Sequence, residues 1–226
     1  RSFCAAMLIR GVSVSRRVVV AAHQRRRVYT KSLVEEIREL SSTGGKPLRA
    51  RVFRAKDAAA FPSFEATNLD GDGVSLPAAF EKRVTLVAIS FRQVGQQALG
   101  SWMTPLGERV IASSRARSHT KIVHLTIVEN PIVRLFKSWI LAALRRANSD
   151  PLATTTQLLR IGDSEALRRA LGDDQRMDNR LAGFVFLVDH DAKVRFHASG
   201  NADDKELKLL FDTTVDLVAE REKKRL

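Results

Sequence analysis

Between Leu181 and Gly200 the chain alternates in short, sharply bounded runs of apolar and polar residues. Residues 183–188 are rich in β-branched and aromatic side chains with no polar position, as in a strand buried on both faces. Residues 193–198 alternate polar with apolar, which predicts a second strand with one face to water. Asp189-His190-Asp191-Ala192 between them supplies turn chemistry, so the pair reads as a β-hairpin. A helix from Asp203 to about Arg225 follows at once. Residues 83–91 and 121–128 are further apolar runs that predict buried strands. The mostly helical segment 96–117 joins them into a βαβ unit with a right-handed crossover.

The remaining elements follow the same periodicities. Residues 32–40 form a short amphipathic helix, with Ser32 as cap and Glu35 at the capping-box position. Residues 41–47 are a linker, and the basic, Ala-rich residues 48–60 a connector. The domain proper opens at Phe61-Pro62, with a hairpin of 64–69 and 74–76 around Asp70-Gly71-Asp72-Gly73. Asn130 and Pro131 start a helix reaching about Asn148. Its broad stripe is Ile132, Leu135, Phe136, Trp139, Ile140, Ala143 and Leu144, with bases towards the other side. The stripe reads first as a core-packed helix. It reads second as a basic amphipathic helix that docks on an anionic membrane or an apolar partner segment, through Arg134, Phe136, Lys137, Trp139, Arg145 and Arg146. Residues 154–161 predict a short strand, and Asp163-Ser164 cap a helix through Leu171.

Charge changes the picture at the N-terminus. The 226 residues carry a net charge of +13, and eight bases with no acid lie within the first 34, leaving +5 for the rest. This Arg- and Ser-rich arm has the composition of a mitochondrial transit peptide, with a matrix-protease-like Arg27-Val28-Tyr29-Thr30. The other reading of the arm is RNA binding, with Arg10, Arg16, Arg17, Arg25, Arg26, Arg27 and Lys31 neutralising phosphates. Three regions result: the arm over 1–34, a short helix and linker over 35–60, and an α/β domain over 61–226.

Candidate chemistry narrows the function classes. Gly44-Gly45-Lys46-Pro47 lacks the first glycine and the Ser/Thr of a phosphate loop. Asp70, Asp72 and Glu81 fall at calcium-loop positions, but Val74 and Ser75 replace a ligand and the required glycine. The five histidines show no metal spacing; His124 reads as a satisfied core residue. Cys4 is the one cysteine, and the strand–helix join at 92–97, where a helix N-terminus stabilises a catalytic thiolate in redox proteins, holds none. Thiol chemistry is therefore excluded, and the expectation is a non-enzymatic protein without cofactor, metal or small-molecule substrate.

A hairpin followed directly by a helix is the closing ββα unit of a thioredoxin-like domain. The fold class is thus α/β, a thioredoxin-like central sheet with a basic N-terminal extension. Several stretches fall in the order of one family: Phe61-Pro62, Asn68-Leu69-Asp70-Gly71, Lys82-Arg83-Val84-Thr85-Leu86-Val87, Ser101-Trp102 with Pro105, Glu129-Asn130, Phe184-Val185-Phe186-Leu187-Val188-Asp189, and Ala198-Ser199-Gly200 followed by Asp204, Glu206 and Leu207. Over about 61–215 the chain resembles the tenth ATP synthase assembly factor family, mitochondrial proteins that aid assembly of the membrane Fo sector through its subunit 6. It departs where the family's Arg-Trp-x-Gly-x-Gly is expected and Arg195-Phe196-His197-Ala198-Ser199-Gly200 stands.

The resemblance implies a matrix-side assembly factor or chaperone, possible contact with the inner membrane included, that acts by binding a protein client. The alternative is a component or biogenesis factor of the mitochondrial ribosome, bound to rRNA through the basic arm.

Overall fold

The computed structural model describes residues 31–147, 155–170 and 177–224. Its centre is the parallel pair β4 (Val84–Ser90) and β5 (Thr120–Val128), in register from Val84↔Thr120 to Ser90↔Thr126. All seven β4 positions are buried, and the strand divides its side chains between two cores. Val84, Leu86 and Ala88 meet Leu99, Trp102 and Leu106 of α2 (Gln93–Ala112) and Leu210 and Leu217 of α6 (Asp204–Lys223). Val87 and Ile89 meet Leu167, Phe184 and Phe186 on the opposite face. A parallel pair covered in this way has no water-facing side, which is why its sequence runs apolar without alternation.

Around the pair lies one eight-stranded sheet, with β1 (Arg51–Val52), β8 (Val194–Ser199) and β7 (Phe184–Val188) on one side of β4. Beyond β5 stand β6 (Thr155–Ile161), β2 (Phe64–Asn68) and β3 (Gly73–Leu76). The expected hairpins, βαβ unit and closing helix are all present. α1 (Leu33–Ser42) starts on the Ser32–Glu35 capping box, and α6 on a second box formed by Asp203 and Glu206. Lys46 bridges both carboxylates of the latter at 2.9 and 2.5 Å. α2 begins three residues before the expected start. It ends before Ser113, which caps the short α3 (Ser114–His119) instead of continuing one helix to 117.

Two local expectations are corrected. Residues 48–60 do not merely connect: Leu48 and Phe53 are buried, and β1 pairs antiparallel with β8 through Arg51↔His197 and Val52↔Phe196. The open edge of β8 has backbone groups to satisfy, and two paired residues suffice for a strand too short to show a period. That addition, together with α6, encloses β8, so all six of its positions are buried rather than alternating with water. Arg195 reaches Asp189 at 3.1 Å and Glu220 at 3.0 Å and donates to the Phe53 carbonyl. His197 packs edge-on to Phe53 at 4.9 Å.

α2 is fastened to the hairpin at both the Trp102 level and its first turn. Trp102, fully buried, donates its indole N–H to the Gly200 carbonyl at 2.7 Å, and Ser101 Oγ accepts from the Ala202 amide. At the first turn the backbones of Gly95 and Gly183 touch; a Cβ on Gly95 would lie 2.6 Å from the Ala182 carbonyl oxygen. Gly95→Ala therefore lowers stability by about 1–3 kcal/mol, because two backbones must separate. Gly100→Ala, further along the same helix with open space at its Cβ, raises it by about 1 kcal/mol. Thermal or urea unfolding of the two variants checks both signs.

Candidate functional site

At the carboxyl ends of the central strands, β4 passes through Phe91 and Arg92 into α2. The first turn is Gln93-Val94-Gly95-Gln96, without a thiol, and the glycine contact described above packs its backbone against the entry to β7. Beneath it a polar row crosses three strands: Ser90 Oγ lies 3.1 Å from His124 Nε2, and His124 also hydrogen-bonds Gln157. The order resembles nucleophile, base and orienting group, yet Ser90 and His124 are each 1% exposed, so no substrate reaches them. Burial holds the His124 pKa below the ordinary 6.5, opposed by the Gln157 bond. His124 is a satisfied core residue, as its strand position implied.

On the other side of the join is a buried ion network that no motif of the chain marks. Glu36 of α1 is fully buried, and one of its carboxylate oxygens accepts from the Arg180 amide at 3.1 Å and from Arg180 Nε at 2.6 Å. Arg180 also donates to the Lys31 carbonyl at 2.9 Å and lies 3.7 Å from Glu129 just after β5. Glu129 in turn accepts from Ser164 and, at 2.6 Å, from Arg168 of α5 (Glu165–Ala170). Asn179 completes the attachment by donating to the Glu36 carbonyl and the Glu39 carboxylate. Segments distant in sequence are thus tied together by charge, and nothing in the spacing of Glu36, Glu129, Arg168 and Arg180 marks them as partners. The network is structural: Glu36 and Glu129 each face the Arg180 guanidinium, while the second Glu36 oxygen, Oε2, is buried without a hydrogen bond.

The segment after Glu129 is the most exposed apolar feature among the described residues. Asn130 caps it, its side-chain oxygen accepting from the Ile132 amide at 3.0 Å. Residues Pro131–Phe136 then wind as a 3₁₀ helix before α4 (Lys137–Ala147), which corrects the single helix expected here. Three residues per turn in the first half breaks the stripe drawn for 3.6. Its apolar residues consequently face solvent: Ile132 is 66% exposed, Leu135 82%, Phe136 58% and Trp139 72%. Ile140 and Leu144 are half-buried and no residue of the stripe is fully buried, Leu141 outside it being the buried one, so core packing, the first reading of this stripe, does not hold.

The bases of the same segment lie beside that surface. Lys137 lines a cleft of about 680 Å³ with residues of β2 and β6 and has no ion-pair partner among the described residues. Arg146 is exposed, and Arg145 stands 3.6 Å from Asp70. Arg134 belongs to the 3₁₀ turn, but its side chain lies outside the described residues, as do Arg10, Arg16, Arg17, Arg25, Arg26 and Arg27 of the arm. Lys31 is described: its ammonium group pairs with Glu39 at 2.7 Å, within the α1 attachment. Among the described residues no helix is long and apolar enough to cross a membrane, and no three His, Cys, Asp or Glu side chains gather as metal ligands.

Removing one member of the buried pair, as in Arg180→Met, leaves the Glu36 carboxyl enclosed without its partner and costs about 3 kcal/mol of stability, read from denaturant unfolding. His124 gives a pH signature. Its proton affinity is lower folded than unfolded, so its contribution is complete above about pH 6.5 and falls as acid titrates the unfolded chain first. Midpoints measured between neutral and mildly acidic pH should drop, with a shallower slope in His124→Gln.

Comparison with known proteins places this geometry. Among solved structures the chain is similar to a secreted thiol-disulfide isomerase from Corynebacterium glutamicum, at 12% identity, covering 75% of this chain and 92% of that one with a TM-score of 0.51. It is also similar to a DsbF homologue from Corynebacterium diphtheriae, at 10% identity, 73% and 92% coverage and a TM-score of 0.49. A third is BsSco, a member of the Sco family of cytochrome c oxidase assembly proteins, at 16% identity, 72% and 95% coverage and a TM-score of 0.49. At these identities the likeness concerns the fold, which is thioredoxin-like. No curated protein matches the chain. The sequence model of the family described as ATP10 protein matches residues 22–217, from before α1 into α6. A match over so much of the chain shows that this protein belongs to the ATP10 family.

Proposed function

We propose that this protein is a non-enzymatic assembly factor of the mitochondrial ATP synthase that acts by binding an apolar client, with an Fo subunit as the partner. Family membership supports the assembly role. The observation that carries binding as its means is the solvent-facing row Ile132, Leu135, Phe136 and Trp139 beside Lys137, Arg145 and Arg146. Burying each large apolar side chain contributes about 1.5–3 kcal/mol, so four left in water are a substantial unfilled interface. A client drawn from the membrane sector supplies matching apolar surface, and the basic arm fits an address to the matrix, with the folded protein working at the inner-membrane face. The reading through ribosomal RNA rests on the charge of residues 1–31; of those bases, Lys31 is engaged by Glu39.

Phe136→Ser combined with Trp139→Ser should leave stability within about 0.5 kcal/mol, since both side chains are exposed. The same change should lower recovery of ATP synthase assembly intermediates on the tagged protein ~10-fold or more. Undiminished recovery, with reversal of Lys137, Arg145 and Arg146 to Glu also without effect, would move the client surface elsewhere. Sedimentation with ribosomal particles in place of those intermediates would favour the RNA reading.

A further inference from the structure

A second concave surface lies away from the segment after Glu129, where α2, α3 and α6 converge. It is a groove of about 290 Å³ whose floor is Leu106, Val110, Phe211 and Val218. These four are buried side chains of the α2–α6 core, so the groove opens directly onto packed aliphatic and aromatic surface. Its volume is near the lower end of small-molecule sites, about 300 Å³, and far too small to admit a helix about 10 Å across.

The rim is cationic in a specific way. The Arg109 guanidinium sits 3.8 Å over the Phe211 ring and has no ion-pair partner among the described residues. Stacking fixes the plane of the guanidinium while leaving its in-plane N–H fork unengaged, the arrangement that receives a carboxylate through two hydrogen bonds. Arg115, which also lines the groove, is neutralised by Glu222, with Nε donating at 2.9 Å, so Arg109 is the lining cation without an ion-pair partner among the described residues.

From this combination of an aliphatic groove and a free, pre-oriented guanidinium, we infer that the α2–α3–α6 groove binds a free fatty acid, its chain on Leu106, Val110 and Val218 and its carboxylate on Arg109. The chain alone would gain burial but no orientation; Arg109 sets which end faces water. This is a ligand site and not a reaction centre, and it does not rest on the assembly-factor reading. Loss of client capture through Phe136 and Trp139 leaves it untouched.

The test uses the full chain, decanoate as probe and decanol as its uncharged counterpart, with binding followed by titration calorimetry. Decanoate should bind saturably at one site. Arg109→Gln should weaken decanoate about tenfold, the effect of losing a charge-assisted hydrogen bond, while leaving decanol unchanged. Ala219→Trp and Ala116→Trp, on two walls of the groove, should each abolish binding of both probes, with thermal unfolding reporting that each variant folds. Decanoate that fails to saturate overturns the inference. So does binding that survives in both folded tryptophan variants, which would assign the anion to other cations of this basic chain. Equal loss of decanol and decanoate in Arg109→Gln would likewise remove the carboxylate contact.

Discussion

Burial of β4 and β5 on both faces is the constraint on which the remaining architecture depends. A parallel pair has no water-compatible side, so every element added to the sheet must cover one of two apolar surfaces. α2 and α6 take one, with Trp102 as the largest side chain between them and the sheet, and Phe61, Phe80, Leu167 and Met177 contribute to the other. Covering both faces leaves β8 with no solvent side, although its own sequence alternates. Arg195 is consequently neutralised by Asp189 and Glu220 instead of by water.

Charge holds the N-terminal helix where apolar contact is sparse. α1 places Leu33, Val34 and Ile37 in solvent and buries Glu36, the reverse of what a helix held by hydrophobic packing would do. Its attachment is the chain of contacts from Lys31 and Glu36 through Arg180 to Glu129 and Arg168. Such a network is directional: each guanidinium fixes the position of a carboxylate on a different segment. It fixes the junction immediately before the 3₁₀ turn, so the exposed Ile132–Trp139 surface projects from an anchored base.

The strand–helix join shows how a thioredoxin-like fold persists without its chemistry. Where a redox protein needs a reachable thiolate at the helix N-terminus, this chain brings two glycine backbones into contact. The polar row beneath, Ser90, His124 and Gln157, is satisfied internally and closed to solvent. Two surfaces stand out among the described residues, and they differ in kind. One is the exposed apolar row proposed above to hold a client, the other a small groove with a stacked arginine at its rim.

Period and capping residues determined most of the secondary structure from the sequence alone. The runs at 83–91, 121–128 and 183–188, the hairpin turns, the Ser32 and Asn130 caps and the closing helix are local statements, written in neighbouring residues. The absence of a thiol at the join was equally legible. Three things were decided by tertiary structure. The β1–β8 pairing depends on an edge that exists once the sheet has formed, and two residues carry no periodicity. The pairing of Glu36 with Arg180 joins positions 144 residues apart, a separation at which sequence spacing carries no geometric information. The stripe from Ile132 to Leu144 had the composition of a core helix, but a stripe states that apolar residues share a side, not which side has a partner; neither core includes a residue of α4, and Trp139 faces solvent.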